Sequence, residues 1–134
     1  METGILEDSE ALSRFITFRG WFRQDQSLRP DGFIPHPYPD LSVSRQKGLT
    51  VEQLWAIGNA IAALQKPSRT LYGRADLTVG MVRAIKLSVV SQPVPENENH
   101  AAIIDWPNDK PAQKLLAQEL AAAAKELIPY HAGA

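Results

Sequence analysis

From Leu41 to Arg45 apolar and polar residues alternate, Leu41 and Val43 against Ser42 and Ser44. A period of two predicts a strand with one dry face and one wet face. After the Lys47-Gly48 turn the period changes. Val51, Leu54, Trp55, Gly58, Ile61 and Ala62 recur at the three-and-four spacing of a helical face, and Ile57 and Leu64 widen the stripe, which predicts an amphipathic helix over about 51 to 65. Its start is marked by Thr50 as the cap, Gln53 in the reciprocal capping-box position and Leu49 placed to pack on Leu54. Pro67 stops it. Before the strand, Pro30, Pro35, Pro37 and Pro39 fix φ and remove backbone donors, so the segment reads as a stiff loop.

The rest of the chain is less sharply patterned. RFITFRGWFR, residues 14 to 23, alternates as a strand would, with Gly20 as a bulge. That places Ile16, Phe18 and Phe22 on one side and Phe15, Thr17, Arg19, Trp21 and Arg23 on the other. A helical reading through Leu12, Phe15 and Ile16 competes up to Arg19. Residues 69 to 77, broken by Gly73, read as a short strand or an irregular connection. Thr78 can cap a short helix through Val79, Met81, Val82 and Ile85, with a hairpin strand as the other option, and Gly80 costs the helix about 1 kcal/mol relative to alanine. Residues 86 to 92 and 101 to 105 read as strands ending at Pro93 and before Trp106-Pro107. A last helix over about 111 to 127 is capped by Asn108 or Asp109, carries Pro111 in its first turn and stops before Pro129. Its stripe is Leu116, Leu120, Ala123, Ala124 and Leu127.

These elements predict one α+β domain over residues 1–134, with a small sheet of four or five short strands covered by two amphipathic helices. Residues 1–12 are expected to fray. Trp55 and Leu120 are expected to be buried, each large apolar side chain contributing roughly 1.5 to 3 kcal/mol on transfer. With 134 residues, 44% of them hydrophobic, the chain is long enough for a single core. No 20-to-50-residue period repeats.

Charge alters the picture more than composition does. The net charge is −1, yet residues 1 to 12 hold only acids, residues 13 to 91 carry a net +6 and residues 92 to 134 a net −3. A basic middle between acidic ends marks an acidic-partner surface, or segments that pair within the fold. The absence of cysteine removes disulfides and cysteine chemistry. No apolar run approaches the ~20 residues needed to span a bilayer, and METGILEDSE lacks the basic-then-apolar order of a leader. A cytoplasmic protein without membrane partners is expected.

Candidate chemistry is sparse. The glycines form no phosphate-binding motif. His36, His100 and His131 are the three histidines, too dispersed in sequence for a local ligand pair, so neither metal nor cofactor is expected. His36, between two prolines, and His100, opening a strand, could act as general acid or base with an arginine such as Arg45, as in metal-independent cleavage of RNA. Ser42 and Ser44 beside Arg45 also suit dinucleotide binding for ADP-ribosyl transfer, but no glutamate falls at a strand end to polarise the ribose. The stronger pattern is Arg14, Arg19, Arg23 and Arg29 interleaved with Phe15, Trp21 and Phe22. Arginine with aromatics serves both phosphate contact with base stacking and protein hot spots.

LSVSRQKGLTVEQLWAIG and HAAIIDWPNDK resemble stretches of small uncharacterised bacterial proteins with a leucine-serine-valine strand, a tryptophan helix and a histidine-alanine strand before Trp-Pro. The resemblance spans about residues 28 to 125, and its motifs are structural, so it implies no activity. The expectation that follows is a non-enzymatic binding or accessory module, docking on an acidic protein or nucleic acid through Arg14, Arg19, Trp21, Arg23 and Arg29. A nuclease or nucleotide-modifying enzyme using His36 or His100 is the alternative.

Overall fold

Six antiparallel strands of the described residues form one sheet, in the spatial order Ser88–Ser91, His100–Ile104, Leu41–Arg45, Ala11–Ile16, Gly73–Thr78 and Ile128–Pro129. In the computed structural model, which describes residues 6–35 and 39–131, they are β1 Ala11–Ile16, β2 Leu41–Arg45, β3 Gly73–Thr78, β4 Ser88–Ser91, β5 His100–Ile104 and β6 Ile128–Pro129. The helices are α1 Val51–Leu64, α2 Val79–Ala84 and α3 Lys110–Ala124. The domain is α+β, with a larger sheet than four or five strands and a third helix. The added strand, β6, is two residues long and pairs with Gly73 and Arg74; nothing so short carries a periodic signal.

Cross-strand register sorts the side chains into two faces. Leu12, Ile16, Leu41, Val43, Leu77 and Ile103 share one core with Val82 of α2, Leu120 of α3 and Phe33. On the opposite face α1 lays Leu54 and Ala62 over Phe15 and Leu71. Close approach is possible there because α1 carries glycine: a Cβ on Gly58 would stand 2.7 Å from the Phe15 ring. Helix α1 starts as expected, with Gln53 N donating to Thr50 Oγ1 at 3.1 Å and Thr50 N to Gln53 Oε1 at 2.9 Å. Its buried stripe is narrower than the sequence pattern, being Leu54, Gly58 and Ala62. Val51 and Leu64 are 55% and 57% exposed. Trp55 is half-buried, tilted against Tyr130 and under the Arg74 guanidinium. Leu120 is fully buried.

Several boundaries differ from the sequence reading. The strand expected over 14 to 23 starts earlier, at Ala11, and ends at Ile16, followed by a 3-10 turn over Arg19–Trp21 in which Trp21 N donates to Phe18 O. Six consecutive pairings with β3 draw β1 into residues that composition alone marked as a loose acidic start. Residues preceding it are also tied down, with Val79 N bonded to Glu10 O, Gly80 N to Asp8 O and Arg83 to Asp8 and Leu6 O. Residues 30–33 of the proline loop form a second 3-10 turn, on which α3 packs. Helix α3 is capped by Asp109, through Ala112 N, and ends at Ala124. Its stop comes from Lys125, at φ 74°, ahead of Pro129.

Candidate functional site

Strands β1 and β2 pair only at Leu12↔Arg45 and Ser13↔Ser44. Continued, the register would join Phe15 to Ser42 and Ile16 to Leu41; instead the strands part, and a cleft of about 660 Å³ opens between them. Phe15 and Thr17 of the β1 side and Leu41 to Ser44 of β2 line it. His100 joins from β5, Ile61 and Gln65 from the end of α1, and Ile34, Pro35 and Asp40 from the proline loop.

Arg14 bridges the parting. Its Nε donates to Gly32 O at 2.8 Å and its Nη1 to Ser42 O at 3.1 Å, which fixes the guanidinium between the turn and β2. Nη2 has no hydrogen-bond partner among the described residues. Burial pulls the Arg14 guanidinium down to about 10, so it stays charged at neutral pH. The Arg14 guanidinium also stands 5.1 Å from the Trp21 ring centre, Trp21 meets Phe18 edge-on at 4.8 Å, and Arg69 lies over Phe18 at 3.5 Å. Arg14, Trp21, Phe18 and Arg69 therefore form one file along the cleft. Phe18 is 39% exposed, the outermost ring of the file. Arg69 is placed by its backbone amide, which donates to Ala62 O at 2.9 Å. Among the described residues the formally charged ones of the lining are Arg14 and Arg69 against Asp40, a positive balance that a recess with low-dielectric walls focuses.

The polar side of the cleft belongs to β2 and β5. Ser44 sits opposite His100 in the register, so their Cβ atoms are within about 4.5–5.5 Å. Ser44 is buried, its Oγ accepting from Asn97 Nδ2 at 2.7 Å, whereas Ser42 is exposed. His100 Nδ1 lies 2.8 Å from Gln92 O. A carbonyl oxygen only accepts, so Nδ1 carries the proton and Nε2 of the neutral ring is an acceptor.

Of the residues expected to bind, Arg14 and Trp21 meet in this cleft. Trp21 is half-buried and packs on the main core while touching Arg14. Arg19, Trp21 and Arg23 do not share a strand face, because the chain turns at Gly20. Arg19 stacks on Phe22 at 4.5 Å and donates to Phe22 O. Arg23 closes the 23–28 loop by donating to Ser27 Oγ and Leu28 O. In that loop Asp25 accepts from the Ser27 hydroxyl and amide, which holds its carboxyl below its usual range. Arg29 is exposed outside the cleft lining. Arg45 projects with Leu41 and Val43, away from Ser42 and Ser44, and its Nε and Nη2 grip the Glu10 carboxylate. A shared His100–Arg45 site and the dinucleotide grip by Arg45 with Ser42 and Ser44 are both removed by this alternation. His36 lies outside the described residues. Among the described residues no three acidic, histidine or cysteine side chains gather as a metal site, and no helix is long and apolar enough to cross a membrane.

Sequence reasoning missed Phe18, Asp40 and Arg69. Strand alternation sets Phe18 on the side of Ile16 and Phe22, away from Trp21, but the strand ends at Ile16 and a turn follows. Arg69 stands alone in a short connection, with no local pattern to mark it. Comparison with known proteins adds no relative: no family model, no curated protein and no solved structure matches the chain.

Proposed function

We propose that the chain is a non-enzymatic binding or accessory module that docks an acidic group of a partner in the cleft between β1 and β2. The observation that carries this reading is the file Arg14–Trp21–Phe18–Arg69, two guanidinia and two rings along a recess with a positive balance of charge. Arg14 Nη2 adds a donor with no partner among the described residues, and a charge-assisted bond to an anion would satisfy it. The volume is within the ~300–1,000 Å³ of ligand sites. Titrating the protein with a ten-nucleotide single strand and a decaglutamate peptide at low salt tests the reading. At least one binds, weakens as salt rises, and loses ten-fold or more in affinity with Arg69→Glu. If neither binds, or Arg69→Glu binds like the wild type, the reading fails.

A second reading has one observation in its favour: His100 lines the cleft with Nδ1 tied to Gln92 O, which leaves Nε2 as the acceptor a general base needs. Its arginine would be Arg69, which lines the same cleft. Incubating single-stranded RNA with the wild type and with His100→Ala decides it, since equal cleavage, or none, rules that enzyme out.

A further inference from the structure

The composition of the cleft narrows the class of acidic partner, and we infer that it holds one nucleotide unit whose base carries an exocyclic amino group, the phosphate beside Arg14 and the base against Phe18 and Arg69. This rests on the cleft being a binding site for an acidic group. A carboxylate needs only the guanidinia. The file supplies more, since Phe18 and the Arg69 guanidinium stack on each other at 3.5 Å and leave an outer flat face on which an unstacked base can lie. A protein partner would need a broad face of about 800 Å², and the exposed apolar side chains do not make one. Among the described residues Val51 and Leu64 lie at opposite ends of α1 and Met81, Val90 and Leu115 on three other elements, while Phe18 stands at the cleft.

The base class follows from hydrogen-bond polarity. His100 Nε2 is an acceptor because Nδ1 carries the proton. Asp40, the acidic member of the lining, accepts only when ionised. Two acceptors favour a base whose amino group brings two N–H donors over one with a single ring N–H. Adenine, cytosine and guanine present an amino group, whereas uracil and thymine present carbonyls and one ring N–H. Ser42 and Thr17 hydroxyls can donate or accept and do not discriminate. The nucleotide unit can come from a single strand or from a free nucleotide, and both sources share this chemistry.

The test uses the whole protein, fluorescently labelled A10, C10 and U10 RNA strands, decaglutamate as competitor, and AMP and UMP as free nucleotides. A10 and C10 should bind at least ten-fold more tightly than U10, and His100→Ala should narrow that ratio towards one. The logarithmic salt slope should correspond to one or two phosphates. Phe18→Ala at an exposed position and Arg69→Ala at a half-buried one should each weaken A10 ten-fold or more, which keeps the inference testable should Arg14→Met fail to fold. AMP displacing A10 at comparable concentration, with UMP weaker, supports the same site and assigns it to free nucleotides. Equal affinity for A10 and U10 overturns the base assignment but leaves acidic docking standing. Decaglutamate binding without any oligonucleotide overturns the nucleotide assignment alone. If no ligand binds, both fall.

Discussion

Arg14 and Arg69 bring the same charge to the cleft at different structural cost. Arg14 is committed to Gly32 O and Ser42 O, so Arg14→Met leaves two carbonyls short of a partner. The cost should be roughly 1–3 kcal/mol in a denaturant titration, together with loss of ligand binding. Arg69 is anchored by its backbone and meets Phe18 through its side chain, so Arg69→Ala should stay within about 0.5–1 kcal/mol of wild-type stability while binding falls. An unchanged affinity in Arg69→Ala would show that the file is only a surface contact. Glu10 carries the opposite lesson. It faces Arg45 with both side chains 9% exposed, so Glu10→Gln should cost about 3 kcal/mol, and a cost under about 1 kcal/mol would mean the pair is solvated. Asp25 predicts a pH response. Its carboxyl is held below its usual range by the Ser27 hydroxyl and amide; the folded group thus stays charged at pH values where the unfolded one has begun to protonate. Its contribution is complete above the ordinary carboxylate range and is lost as pH falls through the lowered value. The Ser27 amide resonance should report that step, and Asp25→Asn should abolish it.

Elements were legible where their signals were local. The Thr50 capping box, the strand over Leu41–Arg45 and the Asp109 cap were all present in short sequence windows. The Arg14–Arg23 segment was misread because alternation continues past Ile16 while the backbone does not; the pairing with β3 that sets the true strand joins residues about 60 positions apart. The width of the α1 stripe was overestimated for a related reason, as the helix covers only the Phe15 end of the sheet and leaves Val51 and Leu64 in water. That placement makes Gly58 a sensitive position. Valine there would push into the Phe15 ring, and overpacking should cost roughly 1–3 kcal/mol. Because Phe15 also lines the cleft, ligand affinity should fall with it. Leu120→Ala, in the main core on the other face of the sheet, should cost about 2–5 kcal/mol in a denaturant titration.

At the scale of the molecule, the fold class could be read from the alternation of strand and helix patterns, whereas the cleft could not. It exists because two strands pair at one end and part at the other, and because a loop, a helix end and a third strand converge on the parting. None of these is a property of a sequence window. Arg14 and Trp21 were recognisable as residue types able to bind and His100 as one able to move a proton; Phe18, Asp40 and Arg69 became recognisable only through position. The central claim is that acidic ligands bind at this parting of β1 and β2. The most direct measurement maps backbone amide resonances of the labelled protein during titration with a single-stranded A10 oligonucleotide. The largest shifts should fall at Arg14 to Phe18, Trp21, Ser42 to Ser44, Arg69 and His100, with α3 and the 23–28 loop silent. Shifts centred on Arg19, Arg23 and Arg29, on the exposed side of α3, or nowhere, would contradict it.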